Sequence, residues 1–178
     1  MTARQRTAWI VGIAVLALAG GIGFQLWRLG LLGGPPAALA GEWVLSSQFP
    51  DLKGQTQSLG QWRGRVLVVN WWATWCEPCR EEMPIFVQLQ GKYGDRGLIF
   101  VGLAVDRRAR VESFAKDFGI TYPLLLGDLV ALDLARKLGN SAGGMPYTVV
   151  IDRQGRVAFT RLGAVRQPEF ERQLLELL

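Results

Sequence analysis

Val66 to Pro84 reads VLVVNWWATWCEPCREEMP. An apolar, β-type run leads into Trp75-Cys76-Glu77-Pro78-Cys79 and then straight into a helical pattern, so two thiols stand at a strand-to-helix junction. They are the only cysteines in the 178 residues. Two residues between them let the sulfurs close a small ring and open it again, which favours redox exchange over a structural staple.

If the helix begins near Glu77, Cys76 sits at its amino end, where unpaired backbone N–H groups and the helix dipole stabilise a thiolate. That lowers the Cys76 thiol below the free value of about 8.5 and makes it the exposed, attacking sulfur. Pro78 falls in the first turn, where a missing N–H costs nothing. On a wheel of about 100° per residue, Met83, Phe86, Leu89, Tyr93 and Glu82 share the face of Cys79, with Arg80, Glu81, Gln88 and Lys92 opposite. Glu82 is therefore an acid one turn from the second thiol. Two settings are open to it: a partly desolvated carboxylate that takes the Cys79 proton when Cys79 attacks a mixed disulfide, or a first-turn acid that reaches solvent. Glu77 is expected on the exposed side, where its charge opposes the Cys76 thiolate and pushes the couple toward reduction.

Histidine is absent, which removes imidazole bases and the His ligands of most zinc and copper sites. Two thiols cannot build a four-cysteine zinc site, so no metal is expected. Of the net charge of +5, Arg4, Arg6 and Arg28 supply +3 within the first forty residues, and no long basic stripe follows. A nucleic-acid-binding face is not expected, and Arg107-Arg108-Ala109-Arg110 reads as a solvated loop.

Ala8 to Trp27 is an uncharged stretch of 20 residues, long enough as a helix to cross a hydrocarbon core of about 30 Å. Arg4 and Arg6 precede it and Arg28 follows, so residues 1–7 are expected in the cytoplasm, 8–28 as a transmembrane signal anchor, and the remainder on the extracytoplasmic side. Ala17-Leu18-Ala19 leaves a cleaved signal peptide as the alternative, and both export the domain. Residues 29–41, rich in Gly and Pro, read as a linker, with the folded domain at 42–178.

Within that domain Trp43 to Phe49 suggests a short strand, Gln57 to Gly64 a polar edge, and Arg65 to Trp71 and Leu98 to Val105 strands buried on both faces. Val111 to Phe118, Leu129 to Leu138 and Pro168 to Leu178 read as helices. Tyr147 to Asp152 and Arg156 to Leu162 are strands joined at Arg153-Gln154-Gly155. The pattern predicts an α/β fold with a central mixed sheet flanked by helices. Trp72 is expected beneath the cysteine motif, Trp43 and Trp62 in core or edge packing, and Trp75 is open between packing and partner docking.

Trp71-Trp72-Ala73-Thr74 before the cysteine motif, Pro84 five residues past Cys79, and Gly144-Met145-Pro146-Tyr147-Thr148 before a late strand resemble the thioredoxin superfamily. Within it, the chain is similar to the membrane-anchored TlpA/ResA-like thiol:disulfide oxidoreductases of cytochrome c maturation, over about residues 43–178 and the anchor. The resemblance implies a thioredoxin-like fold, with residues 106–128 as a helix-plus-strand insertion. It also implies catalysis by Cys76, Cys79 and Glu82, with Trp75, Glu77, Pro78, Met145 and Pro146 forming the motif and the substrate-docking rim. Pro146 would be a cis-proline, although a proline opening a strand is ordinarily trans. Asn70 stands where plain thioredoxin has a buried, proton-accepting Asp; an amide cannot carry a proton, which strengthens the case for Glu82.

The resemblance further implies a reductase of disulfides in partner proteins, with apocytochrome c as client, a membrane-embedded thiol electron donor, and no cofactor beyond the redox-active Cys76–Cys79 disulfide. Two alternatives stand beside it: an oxidant that donates disulfides to secreted proteins with the same residues in the opposite direction, and a copper-delivering module on the same fold, against which the missing His and the two-residue spacing argue.

Overall fold

The computed structural model describes residues 36–178 together with Ala17, Gly20 and Gly21. The expected cytoplasmic terminus, nearly all of the anchor over 8–28, and linker residues 29–35 lie outside the described residues. Among the described residues no helix is long and apolar enough to cross a membrane.

Strand β3 (Val66–Trp72) organises residues 37–178, which form one compact unit. Before it come helix α1 (Ala37–Leu45) and the short antiparallel pair β1 (Gln48–Pro50) and β2 (Thr56–Ser58). After it follow α2 (Glu77–Tyr93), β4 (Leu98–Ala104), α3 (Arg108–Asp117), β5 (Leu124–Leu126), α4 (Leu129–Lys137), β6 (Tyr147–Ile151), β7 (Val157–Leu162) and α5 (Gln167–Leu175). The main sheet runs β5-β4-β3-β6-β7; β4 and β5 are parallel to β3, whereas β6 is antiparallel to β3 and to β7. This is the mixed, helix-flanked sheet of a thioredoxin-like fold, with the helix and strand of 106–128 present as α3 and β5.

Every residue of β3 is buried. Side chains alternate across a strand, so Val66, Val68 and Trp72 enter the core beneath α2, while Leu67, Val69 and Trp71 enter the opposite core with α1 and α4. Burying such a side chain stabilises the fold by about 1.5–3 kcal/mol relative to exposure. Period two also puts Asn70 on the α2 face, and register sets Thr148 of β6 directly opposite it. On the other face the Trp71 indole N–H donates to the Ala131 carbonyl at 2.8 Å, tying α4 to the sheet.

Several readings are corrected by the structure: Arg108 to Arg110, expected in a solvated loop, form the exposed first turn of α3, and α5 stops at Leu175 instead of running to Leu178. Trp43 to Leu45 end a helix instead of opening a strand, and that helix starts at Ala37, so the folded unit begins five residues before Glu42. Ala40, Gly41, Val44 and Leu45 form its buried face, but a short Ala- and Gly-rich helix beside a Gly-Pro run resembles linker in composition. At Gly41 a Cβ would lie 1.9 Å from the Gly155 carbonyl oxygen in the β6–β7 turn.

Gly91, exposed within α2, has no atom within 4 Å of such a Cβ. In urea unfolding, Gly41→Ala is expected to destabilise by about 2 kcal/mol through overpacking. Gly91→Ala is expected to stabilise by about 0.5–1 kcal/mol through helix propensity, and equal effects at the two positions would contradict the close approach of α1.

Candidate active site

β3 ends at Trp72, and the segment Ala73 to Trp75 carries the chain to the mouth of α2. Asp106, just past β4, fixes that segment by accepting from both the Thr74 backbone N–H and the Thr74 hydroxyl. These donors and the Arg107 N–H hold the Asp106 carboxyl below the ordinary carboxylate range, against the opposing effect of its burial. Cys76 is the N-cap of α2; its sulfur accepts from the Cys79 N–H at 3.3 Å. Pro78 lies in the first turn, where no intrahelical donor is lost.

Cys76 and Cys79 are joined in a disulfide, S–S 2.05 Å. Cys79 is fully buried and Cys76 is only 6% exposed, so the attacking sulfur is less open than expected. Both pack in the apolar core under α2, and it is Trp75, 62% exposed, that reaches solvent beside them. Glu77 and Pro78 are exposed, and Trp72 is buried beneath the motif.

The buried face of α2 carries Cys79, Glu82, Met83, Phe86, Leu89 and Tyr93. Glu82 is 1% exposed, which decides between its two settings in favour of a desolvated carboxyl. Its Oε1 accepts from Asn70 Nδ2 at 2.8 Å and its Oε2 from the Val165 N–H at 3.0 Å. Burial pushes the Glu82 carboxyl up to about 7, with the two donors and the positive charge of Arg161 pulling part of the way back. The neighbouring Tyr122 phenol is buried without a hydrogen-bond partner, and burial followed by the Glu82 charge raises its pKa.

β6 begins at Tyr147, paired with Trp71, so the residue before it lies at the end of the sheet from which β3 runs on to the cysteines. The Met145–Pro146 peptide bond is cis. Met145 is half-buried against the core cluster that holds both cysteines, and Pro146 is buried, its carbonyl accepting from the Gly163 N–H at 2.8 Å. Asn140 shapes this loop: its amide donates to the Gly144 carbonyl at 2.8 Å and accepts from the Gly144 N–H at 3.0 Å. Leu162, opposite Tyr147, and Leu129 and Val130, just past β5, are exposed at the same sheet end as Trp75.

Asp106, Asn140, Thr148 and Val165 are site-building groups that the sequence reading passed over. Asp106 and Thr148 act across long chain separations and Val165 through its backbone, while Asn140 acts on Gly144 four residues on; Thr148 stands in a quoted motif, but nothing there marks its contact with Asn70. The family resemblance marks the Asn70 position but not its pairing with Glu82.

A closed two-residue-spaced disulfide at a helix mouth, with a buried carboxyl one turn on, defines a thiol:disulfide oxidoreductase of thioredoxin-like fold. Residues 39–175 match the Redoxin family. The chain is 29% identical over 177 residues to the thiol-disulfide oxidoreductase ResA of Geobacillus kaustophilus, covering 98% of this chain and 97% of that protein. It is 31% identical over 138 residues to ResA of Geobacillus thermodenitrificans, covering 76% and 74% respectively. Among solved structures, a thiol:disulfide interchange protein of the thioredoxin family from Chlorobium tepidum is similar with a TM-score of 0.67 at 31% identity, covering 81% of this chain and 96% of that one. The protein belongs to the Redoxin family.

The raised Glu82 pKa makes a signed stability prediction. Between the ordinary value of 4.5 and about 7 the folded chain retains on Glu82 a proton that the unfolded chain releases, so the Glu82 contribution to stability falls as pH rises through that window and is constant outside it. Urea unfolding of the oxidised protein against Glu82→Gln should show the variant gaining relative stability across the window, by about 3 kcal/mol in all. A pH-independent difference would contradict the assignment.

Proposed function

We propose that this protein is a membrane-anchored, extracytoplasmic reductase of disulfides in partner proteins, with apocytochrome c as its client. The observation that carries the reading is the pairing of the Cys76–Cys79 disulfide with Glu82, buried on the same helix face as Cys79. Resemblance to ResA supports the client, and the uncharged stretch over Ala8–Trp27 supports the anchor and its orientation. No cofactor beyond the disulfide, no metal and no nucleic acid enter the proposal.

In the reduced protein the Cys76 thiolate, stabilised by the N–H groups of α2, attacks one sulfur of the client disulfide. A Cys76–client mixed disulfide forms and the other client sulfur leaves as a thiolate, which takes a proton from solvent. Cys79 then loses its proton to the Glu82 carboxylate, attacks Cys76 Sγ and expels the second client thiolate. The client gains two electrons and ends as a dithiol, while Cys76–Cys79 becomes the disulfide. Protonated Glu82 returns its proton to the departing thiolate or to solvent. Two electrons from a membrane-embedded dithiol carrier restore the reduced pair.

Trp75, Met145 and Pro146, with the exposed Leu162, form the rim on which a client segment docks. Exposed Glu77 beside Cys76 disfavours the thiolate and so favours the reducing direction over the disulfide-donating one.

In native membranes a full-length Cys79→Ala variant should accumulate a mixed disulfide between Cys76 and an apocytochrome. The wild-type couple should have a potential at or below about −200 mV, and Glu82→Gln should slow resolution of the mixed disulfide by about 10²-fold. A potential near about −120 mV would reverse the direction. Trapping of secreted proteins without haem-binding cysteines would overturn the client.

A further inference from the structure

Asn70 is 2% exposed and stands between Glu82 and Thr148. Its Nδ2 donates twice, to Glu82 Oε1 at 2.8 Å and to Thr148 Oγ1 at 3.0 Å, whereas its Oδ1 is buried with no partner. Leaving a buried acceptor unpaired is costly, yet the opposite amide orientation is not excluded by Thr148, whose hydroxyl donates as readily as it accepts. The ionised carboxylate decides the orientation, because it can only accept. Once Glu82 carries a proton on Oε1, the same contact would set O–H against N–H, and the preference inverts.

We propose that Asn70 and Thr148 form a proton-responsive support for Glu82, in which the Asn70 amide turns over when Glu82 takes up the Cys79 proton. In the ionised form the amide donates to Oε1 and to Thr148. After proton uptake its Oδ1 accepts from the Glu82 O–H and from the Thr148 O–H, and Nδ2 takes the place left unpaired before. Two hydrogen bonds are made in either orientation, so neither protonation state leaves Glu82 without a matched partner at Oε1. Asn70 is thus a positioning residue, acting on the cysteines only through Glu82. This answers why an amide is suited to the place: it carries no proton but can present either a donor or an acceptor.

The charged and titratable groups around Glu82 fit a switch confined to this contact. Cys79 is on its own helix, Tyr122 precedes β5 and has no hydrogen-bond partner, and Arg161 of β7 supplies positive potential while pairing with Glu169 of α5 at 3.4 Å. On the fourth side the Val165 N–H holds Oε2 in either state.

The inference rests on the reading of Glu82 as proton acceptor, and side-chain amide NMR of the oxidised full-length protein in detergent separates the two. The Asn70 amide, assigned by its loss in Asn70→Leu, should show hydrogen-bonded proton resonances at pH 9 that move upfield by pH 5, with the midpoint of the Glu82 carboxyl. In Glu82→Gln the Val165 N–H claims the side-chain carbonyl and the NH2 faces Asn70, so the Asn70 resonances should stay in their low-pH positions at every pH. An Asn70 amide that remains hydrogen-bonded across a Glu82 titration near 7 overturns the turning of the amide and leaves the acceptor role standing. A Glu82 carboxyl that titrates near 4.5 overturns both.

Discussion

The burial of one carboxyl group governs this structure. Glu82 is taken almost wholly out of water and given two donors, an amide from the central strand and a backbone N–H from the segment after β7. Desolvation of a carboxylate is expensive, and two hydrogen bonds offset only part of the cost, which is why the proton is held to about pH 7. An apolar side chain would be cheaper to bury here; the carboxyl instead places a proton-binding group one turn from Cys79.

The rest of the fold follows from placing that group. The all-apolar β3 is buried on both faces, so it must be central, and its period-two alternation sends Asn70 toward α2 and Trp71 away from it. Helix α2 starts where β3 stops, which puts the cysteines at the sheet end and Glu82 one turn inward. The antiparallel β6 returns to that end and delivers Met145 and Pro146, while Asp106 and Asn140 fasten the two loops with side-chain-to-backbone hydrogen bonds.

The parts legible in the sequence were those written in local pattern. The run Val66–Trp72 and the i, i+3, i+4 spacing from Cys79 to Tyr93 gave the central strand, the helix and the face shared by Cys79 and Glu82, while the burial of Glu82 itself stayed open until the structure decided it. Helix α1 was not legible, since its buried Ala40 and Gly41 carry no signal distinct from a linker. β5 has only three residues and no alternation to read, and it emerged only through family resemblance. The partners of Glu82 were hidden for another reason: Val165 lies 83 residues away and contributes a backbone N–H, which residue identity does not encode. The limited exposure of Cys76 depends on packing against the core under α2, which spacing alone does not report.

If the account is right, the Glu82 carboxyl holds its proton far beyond the ordinary range even while the disulfide is closed. Carbon NMR of the selectively labelled Glu82 carboxyl, followed through a pH titration of the oxidised protein, reads this directly. The account predicts a midpoint near 7, and a midpoint at the ordinary 4.5 would contradict it.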